Sequence, residues 1–126
     1  MSVHAHGVDM VECARLAEVL DRHGRRFLER VFTAAELDYC LGRKREIEHL
    51  AGRFAAKEAV LKLLGTGWQG GIRWTDIEVR NDPSGRPVVR LEGRCREIAD
   101  ERSLGEILIS ISHIRTHAIA SAIASD

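Results

Sequence analysis

The alternation of apolar and polar positions predicts a chain that mixes helices with antiparallel strands. Strands are predicted over about 3–11, 72–80, 86–91, 107–112 and 118–124, helices over about 13–25, 33–41, 46–64 and 93–102, and a loop over 68–71. The turn Asn81-Asp82-Pro83-Ser84-Gly85 separates two of these strands and indicates a hairpin. Since no repeat or linker interrupts the pattern, we expect residues 1–126 to form one α+β domain.

Two local signals mark helix ends. Thr33 is followed three residues later by Glu36, the spacing of a capping box, so a helix is expected to begin there. Gly65 follows the last apolar residue of the longest predicted helix, where a left-handed glycine commonly ends a helix.

The long helix combines an apolar side with charged residues. Phe54, Leu61 and Leu64 are expected to face a core, whereas Glu58 and Lys62, four residues apart, share another face. The simplest interpretation is a solvated ion pair that contributes roughly 0.2–0.5 kcal/mol. Lys57 flanks Glu58 but points elsewhere.

Asp9 lies inside an otherwise apolar predicted strand, two residues after Gly7. A buried carboxylate is costly unless it is paired or bound to a metal, and a glycine in a strand lets a ligand or another backbone come close. One interpretation is that Asp9 ends the strand and caps a helix. In the other, Asp9 and Glu58 form an oxygen-rich site of the kind that Mg²⁺ occupies together with water and phosphate oxygens.

Two motifs together resemble the signature of the phosphopantetheinyl transferases. The first is Gly7-Val8-Asp9, and the second is Phe54-Ala55-Ala56-Lys57-Glu58-Ala59-Val60-Leu61-Lys62, a little over forty residues later. Residues 64–67, 74–79 and 110–113 are similar to the short branch of that family. The sequence departs from the family pattern at Ala5-His6 and at His117, which concerns subunit packing and cofactor fit.

The resemblance implies that family's fold, in which a small antiparallel sheet packs with a long central helix, and a homotrimer with active sites between subunits. It also implies transfer of 4′-phosphopantetheine from coenzyme A to a serine of apo-acyl carrier protein, in fatty-acid or polyketide synthesis. Asp9 and Glu58 would hold Mg²⁺, with Mn²⁺ as the alternative ion, and Glu58 and Lys62 would act in catalysis. Lys62 is preferred to Lys57 as the phosphate contact, since Lys57 serves either the phosphate or the fold. The general base stays open among Glu58, a metal-bound water and Glu36.

The resemblance also assigns contacts to coenzyme A. These are Lys57, Lys62, Arg45, Arg53, Gly65, Thr66 and His113. Arg45 belongs to the basic cluster 43–45, a reasonable partner for the nucleotide phosphates. Without the resemblance, His113 is interpreted as a strand-end histidine bonded to the backbone, and its spacing to His117 is a weak zinc signal because the segment is a predicted turn.

The balance of charged residues indicates that charge acts through local clusters and not through the net charge of the chain. Lys and Arg number 19 and Asp and Glu also number 19, which disfavours binding to nucleic acid by net charge. Arg15, Arg22 and Arg26 on the first predicted helix form a candidate basic stripe for an acidic carrier protein. Interleaved acidic residues make a neutralised, solvated face the alternative, and the resemblance favours carrier binding.

Three scattered cysteines lack Cys-x-x-Cys spacing, so we expect free, buried thiols. The N-terminus has no basic segment leading into an apolar run, and polar residues interrupt the apolar C-terminal stretch, so we expect no membrane segment and a cytoplasmic location. The rival to the transferase is a non-catalytic module of the same fold that binds coenzyme A or the carrier protein.

Overall fold

The computed structural model describes residues 2–68 and 70–126, in which helices and strands follow the order β-α-α-α-β-β-α-β-β. The elements are β1 (Val3–Glu12), α1 (Cys13–Val31), α2 (Ala34–Cys40), α3 (Glu46–Leu64), β2 (Ile77–Asn81), β3 (Pro87–Leu91), α4 (Gly93–Glu101), β4 (Ile107–His113) and β5 (His117–Ser125). A one-turn 3₁₀ helix over Trp74–Asp76 precedes β2.

The strands form two antiparallel sheets. One has the order β1-β5-β4, and the other is the β2-β3 hairpin. In β5, four alanines alternate with larger residues and are all buried: Ala118, Ala120, Ala122 and Ala124. Because these side chains are small, the sheet can lie close to a helix, and α3 packs against β1, β5 and β4.

The central helix α3 is buried on most of its surface, including Leu50, Ala55, Ala59 and Leu64. A helix that is buried on most of its sides is typical of a core position. The predicted bounds of this helix are confirmed, and Gly65 ends it in the left-handed conformation at φ 75°. The capping box of Thr33 and Glu36 at the start of α2 is confirmed too.

Gly7 brings β1 unusually close to α3. A Cβ atom at this position would overlap the carbonyl oxygen of Ala59 and lie 2.9 Å from the backbone nitrogen of Leu63. The sequence predicts that a ligand or another backbone comes close to Gly7, and the structure shows that it is the backbone of α3. This contact places Asp9 beside the part of α3 that carries Glu58.

Two predicted boundaries differ from the structure. The first helix is interrupted close to its predicted end near residue 25, at a kink at Gly24 (φ 55°, ψ −136°), but the prediction missed the helical segment that resumes after the kink and continues to Val31. Strand β2 begins at Ile77 rather than residue 72, because Trp74–Asp76 forms the 3₁₀ turn. The predicted loop 68–71 includes residue 69, which lies outside the described residues. Among the described helices, none has the length and apolar character needed to span a bilayer.

Candidate active site

Asp9 of β1 and Lys62 of α3 form an ion pair at the surface. Lys62 Nζ donates hydrogen bonds to Asp9 Oδ1 at 3.0 Å and to the carbonyl oxygen of Val8 at 3.1 Å. The Lys62 side chain is 55% exposed and that of Asp9 is 23% exposed, so the pair is open to a ligand. Asp9 does not end its strand, since β1 continues to Glu12, and the interpretation of Asp9 as a helix cap is wrong.

Glu58 belongs to the same cluster. Its pKa is raised, mainly by burial and then by the negative charge of Asp9, while the nearby Lys62 opposes the shift. The negative charges of Asp9 and Glu58 therefore repel one another, and the positive charge of Lys62 offsets part of this repulsion. The expectation that Glu58 and Lys62 share a face of the helix agrees with this arrangement.

The donor set fits a hard divalent cation. Asp9 and Glu58 supply carboxylate oxygens, and a cation held there would relieve the repulsion between them. Within residues 2–68 and 70–126, no cluster of three or more His, Cys, Asp or Glu side chains is placed to hold a metal. Water and phosphate oxygens would complete the coordination, as is usual for Mg²⁺.

A cavity of about 450 Å³ opens next to Asp9. Arg15 lines it together with an apolar wall made of Met10, Val11, Leu16, Val19, Phe27 and Phe54. Arg26 lines a neighbouring cavity with His23, Phe27 and Arg30, whereas Arg22 is exposed on α1. The kink in α1 interrupts the predicted basic stripe, and of its three arginines Arg15 is the one that lines the same described cavity as Asp9.

Lys57 does not reach this cluster. Its side chain is fully buried and pairs with Glu36 Oε1 at 2.8 Å. It also donates hydrogen bonds to the carbonyl oxygens of Trp74, at 3.1 Å, and Ile77. Of the two roles predicted for Lys57, the structure shows the contact within the fold, and burial lowers the pKa of this ammonium group despite its acidic partner.

Glu36 is equally enclosed, which removes it from the candidate bases. Its carboxylate accepts hydrogen bonds from the backbone nitrogens of Thr33 at 2.8 Å and Val79 at 2.7 Å, besides its pairing with Lys57. A carboxylate with no exposed surface cannot take a proton from the serine of another protein.

A second cavity, of about 200 Å³, lies at the start of α3 and includes Tyr39, Arg53, Asn81 and His113 in its lining. Arg53 lies with its guanidinium 4.0 Å from the centre of the Tyr39 ring and donates a hydrogen bond to Asn81 Oδ1 at 2.5 Å. Among the described residues, Arg53 Nε is the one buried side-chain nitrogen or oxygen without a partner. An unsatisfied guanidinium N–H beside a cavity is suited to bind an anion.

His113 is held by a side chain rather than by the backbone. Its Nδ1 lies 2.8 Å from Glu48 Oε1, and its ring meets the ring of His49 edge-on with centroids 5.3 Å apart. Burial, followed by the charge of His113, lowers the pKa of His49. Sequence reasoning missed Tyr39, His49 and Asn81. The spacing of His49 and Arg53, four apart on one helix, was the available signal.

The remaining predicted contacts lie at the two ends of α3. Arg45 is exposed immediately before the helix, and Gly65 and Thr66 follow its last turn, where Thr66 Oγ1 donates to the carbonyl oxygen of Gly67 at 3.2 Å. His49 and Glu58 are nine residues apart, which is half a turn out of phase and about 13.5 Å along the axis. One chain therefore carries the carboxylate cluster and the Arg53 cavity on different sides of α3.

Comparisons with known proteins match this chain to one family. Residues 5–121 match the family model of the 4′-phosphopantetheinyl transferase superfamily. A relative from Moorella thermoacetica named holo-[acyl-carrier-protein] synthase is 50% identical over 118 residues, covering 94% of this chain and 89% of the relative.

Solved structures extend the similarity to the whole fold. The holo-[acyl-carrier-protein] synthase of Neisseria meningitidis has a TM-score of 0.90 at 26% identity and covers 99% of this chain and 100% of its own. The enzyme of that name from Helicobacter pylori, in complex with coenzyme A, has a TM-score of 0.83 at 31% identity over 95% of this chain and 99% of its own.

Proposed function

The chain belongs to the 4′-phosphopantetheinyl transferase superfamily, and on that premise we propose that it transfers 4′-phosphopantetheine from coenzyme A to a serine of apo-acyl carrier protein. The products are holo-acyl carrier protein and adenosine 3′,5′-bisphosphate. The observation that carries the proposal is the cluster of Asp9, Glu58 and Lys62, which joins two carboxylates and an exposed ammonium group beside a cavity that Asp9 lines.

Asp9 and Glu58 would hold Mg²⁺, or Mn²⁺ in its place. When bound, the ion neutralises charge on the pyrophosphate of coenzyme A. Lys62 uses two of its three N–H donors on Asp9 and Val8, so one donor is left for a phosphate oxygen. Of the two carboxylates considered as acceptors of the serine proton, Glu58 lies in this cluster and Glu36 does not, and a metal-bound water is the remaining candidate.

The nucleotide end of coenzyme A is assigned to the second cavity, with Arg53 and His113 in its wall and Arg45 nearby. Gly65 and Thr66 bind the phosphates beside Lys62. Because the two groups of residues lie on different sides of α3, we infer an active site between subunits, in which one subunit supplies the carboxylates and its neighbour supplies the Arg53 cavity. The family resemblance implies that this assembly is a homotrimer.

The outer face of the three-stranded sheet supports this assembly. Five large apolar side chains are exposed there, each 42% or more: Val8, Met10, Leu108, Ile119 and Ile123. They lie in neighbouring register positions on the side of the sheet that faces away from α3. A contiguous apolar patch of this kind is typical of a protein interface. His6, one of the departures from the family pattern, is exposed on the same face.

The carrier protein is assigned to α1, where Arg15, Arg22 and Arg26 would attract its acidic surface. Arg15 is the member closest to the chemistry, since it shares a cavity with Asp9. The whole chain, residues 1–126, would act as one transferase domain. We place the reaction in the cytoplasm, where thiols stay reduced, because all three cysteines are free and buried.

Intact-mass spectrometry of apo-acyl carrier protein tests the proposal. The protein, coenzyme A and Mg²⁺ should add one phosphopantetheine group to the carrier, and the gain should disappear with EDTA or in Glu58→Gln. Binding of coenzyme A without any gain on several carrier proteins would instead support the non-catalytic module.

A further inference from the structure

A fully buried ion pair lies one residue before Glu58. It joins Lys57 to Glu36, and neither side chain has exposed surface. Charged side chains are almost never fully buried unless they are paired, and a buried pair is seldom a source of net stability. The ion pair is therefore expected to act by positioning the segments that it joins.

The ammonium group of Lys57 has no donor left for a ligand. Its three N–H groups meet Glu36 Oε1 and the carbonyl oxygens of Trp74 and Ile77. A phosphate oxygen would have to displace one of these partners inside the core. Lys57 and Lys62, which share one motif, thus serve different purposes.

The ion pair connects α3 to three other segments. Its carboxylate accepts hydrogen bonds from the backbone of Thr33, at the start of α2, and of Val79, in β2. Lys57 adds the one-turn helix Trp74–Asp76 through the carbonyl of Trp74. The side of α3 that carries Lys57 is therefore fixed to α2, to the 3₁₀ turn and to the hairpin.

Consecutive residues of an α-helix point about 100° apart, so the direction of Lys57 sets that of Glu58. Glu58 faces Asp9, whose like charge repels it, and a helix free to rotate would relieve that repulsion. We propose that Lys57 is a positioning residue, which fixes the rotation of α3 through its ion pair with Glu36 and thereby directs the Glu58 carboxylate toward Asp9. This inference rests on the proposed function, since it takes Asp9 and Glu58 as the metal ligands.

Binding of Mn²⁺ alone, followed by electron paramagnetic resonance, tests the inference without any transfer. Lys57→Met should weaken Mn²⁺ binding about 10- to 100-fold, as loss of a residue that orients a metal ligand does. Calorimetry in EDTA should show unchanged affinity for coenzyme A. The matched control, Lys62→Met, should show the opposite pattern, with weaker binding of coenzyme A and Mn²⁺ bound at least as tightly as in the wild type.

Two results would overturn the inference. One is wild-type affinity of Lys57→Met for Mn²⁺, and the other is a loss of affinity for coenzyme A with Mn²⁺ binding intact, which would make Lys57 a phosphate contact. Where Lys57→Met alone does not fold, the double variant Glu36→Gln/Lys57→Met removes the uncompensated charge. Weakened Mn²⁺ binding is expected in the folded double variant too, and wild-type binding there also rejects the inference.

The outcome is separable from that of the proposed function. If the wild-type protein binds Mn²⁺ but modifies no carrier, the proposed transferase activity is rejected. The Mn²⁺ affinities of the variants still decide the role of Lys57. If the wild-type protein modifies the carrier but its Mn²⁺ binding does not require Glu58, the transferase stands, while the metal-ligand role of Glu58 and the positioning role of Lys57 are both rejected.

Discussion

Lys62 on α3 lies 3.0 Å from Asp9 on β1, a residue 53 positions earlier in the chain. The contact exists because Gly7 lets β1 approach α3 without a side chain between them. A sheet strand and a helix thus deliver one carboxylate each to the same place, and Lys62 offsets part of the resulting negative charge.

Replacing Lys62 by methionine should lower kcat/KM for transfer about 100-fold, since removal of one preorganised donor to a developing charge commonly costs that much. The fold should persist because the side chain is largely exposed. Steady-state kinetics with a purified carrier protein measure the effect. Arg90→Met is the control, as it removes another exposed cation from an ion pair, the one with Glu92 on the hairpin side. Equal losses in both variants would contradict a specific role.

Gly7→Ala should lower the free energy of unfolding by about 3 kcal/mol or more, since the added methyl group overlaps rigid backbone. Urea denaturation followed by circular dichroism measures this change. The control is Gly52→Ala, whose Cβ would lie 3.0 Å from a side-chain methyl group of Ile111 that can shift. Its cost should be small, because alanine gains about 1 kcal/mol of helix propensity over glycine. A harmless Gly7→Ala would mean that β1 does not approach α3 this closely.

Arg15→Glu should raise the KM for the carrier protein about tenfold at low salt, the kinetic equivalent of roughly 1.4 kcal/mol. The reason is that the reversed charge lies in the cavity beside Asp9, where an acidic partner would be repelled. The wild-type KM should rise with ionic strength and that of the variant should rise less. Arg96→Glu on α4, an equally drastic change of an exposed arginine, should leave both values near the wild type.

The stability of the protein should fall as the pH drops below about 6.5, in part because of His49. Burial lowers the pKa of His49 in the folded state below its ordinary value of 6.5. In that window the unfolded chain binds a proton that the folded chain does not, so unfolding becomes more favourable as pH decreases. His49→Gln should flatten this part of the profile of unfolding free energy against pH. The control is His23→Gln, since His23 is an exposed histidine on α1. If the two variants show equally steep profiles, the assignment to His49 is contradicted.

Local patterns predicted most of the secondary structure. The capping box at Thr33, the bounds of α3, the hairpin turn and the last two strands depend on neighbours in sequence, and all agree with the structure. The kink at Gly24 was not predicted, because the apolar period of α1 continues across it.

The candidate site was predictable where residues close in sequence act together. Glu58 and Lys62 share a helical face by their spacing, and the Gly7-Val8-Asp9 motif is a local signal for close approach. The surroundings of His113 were not predictable, because its partner Glu48 is 65 positions away and belongs to another element.

Patterns along the chain were sufficient to predict the α+β architecture, the family and the pairing of Asp9 with Glu58. The role of Lys57 depends on tertiary contacts. Adjacent helical residues point in different directions, so residues of one sequence motif can lie partly at the surface, as Lys62 does, and partly in the core, as Lys57 does. Lys57 meets a carboxylate and two carbonyl groups contributed by α2, the 3₁₀ turn and β2, and no spacing along the chain encodes that meeting.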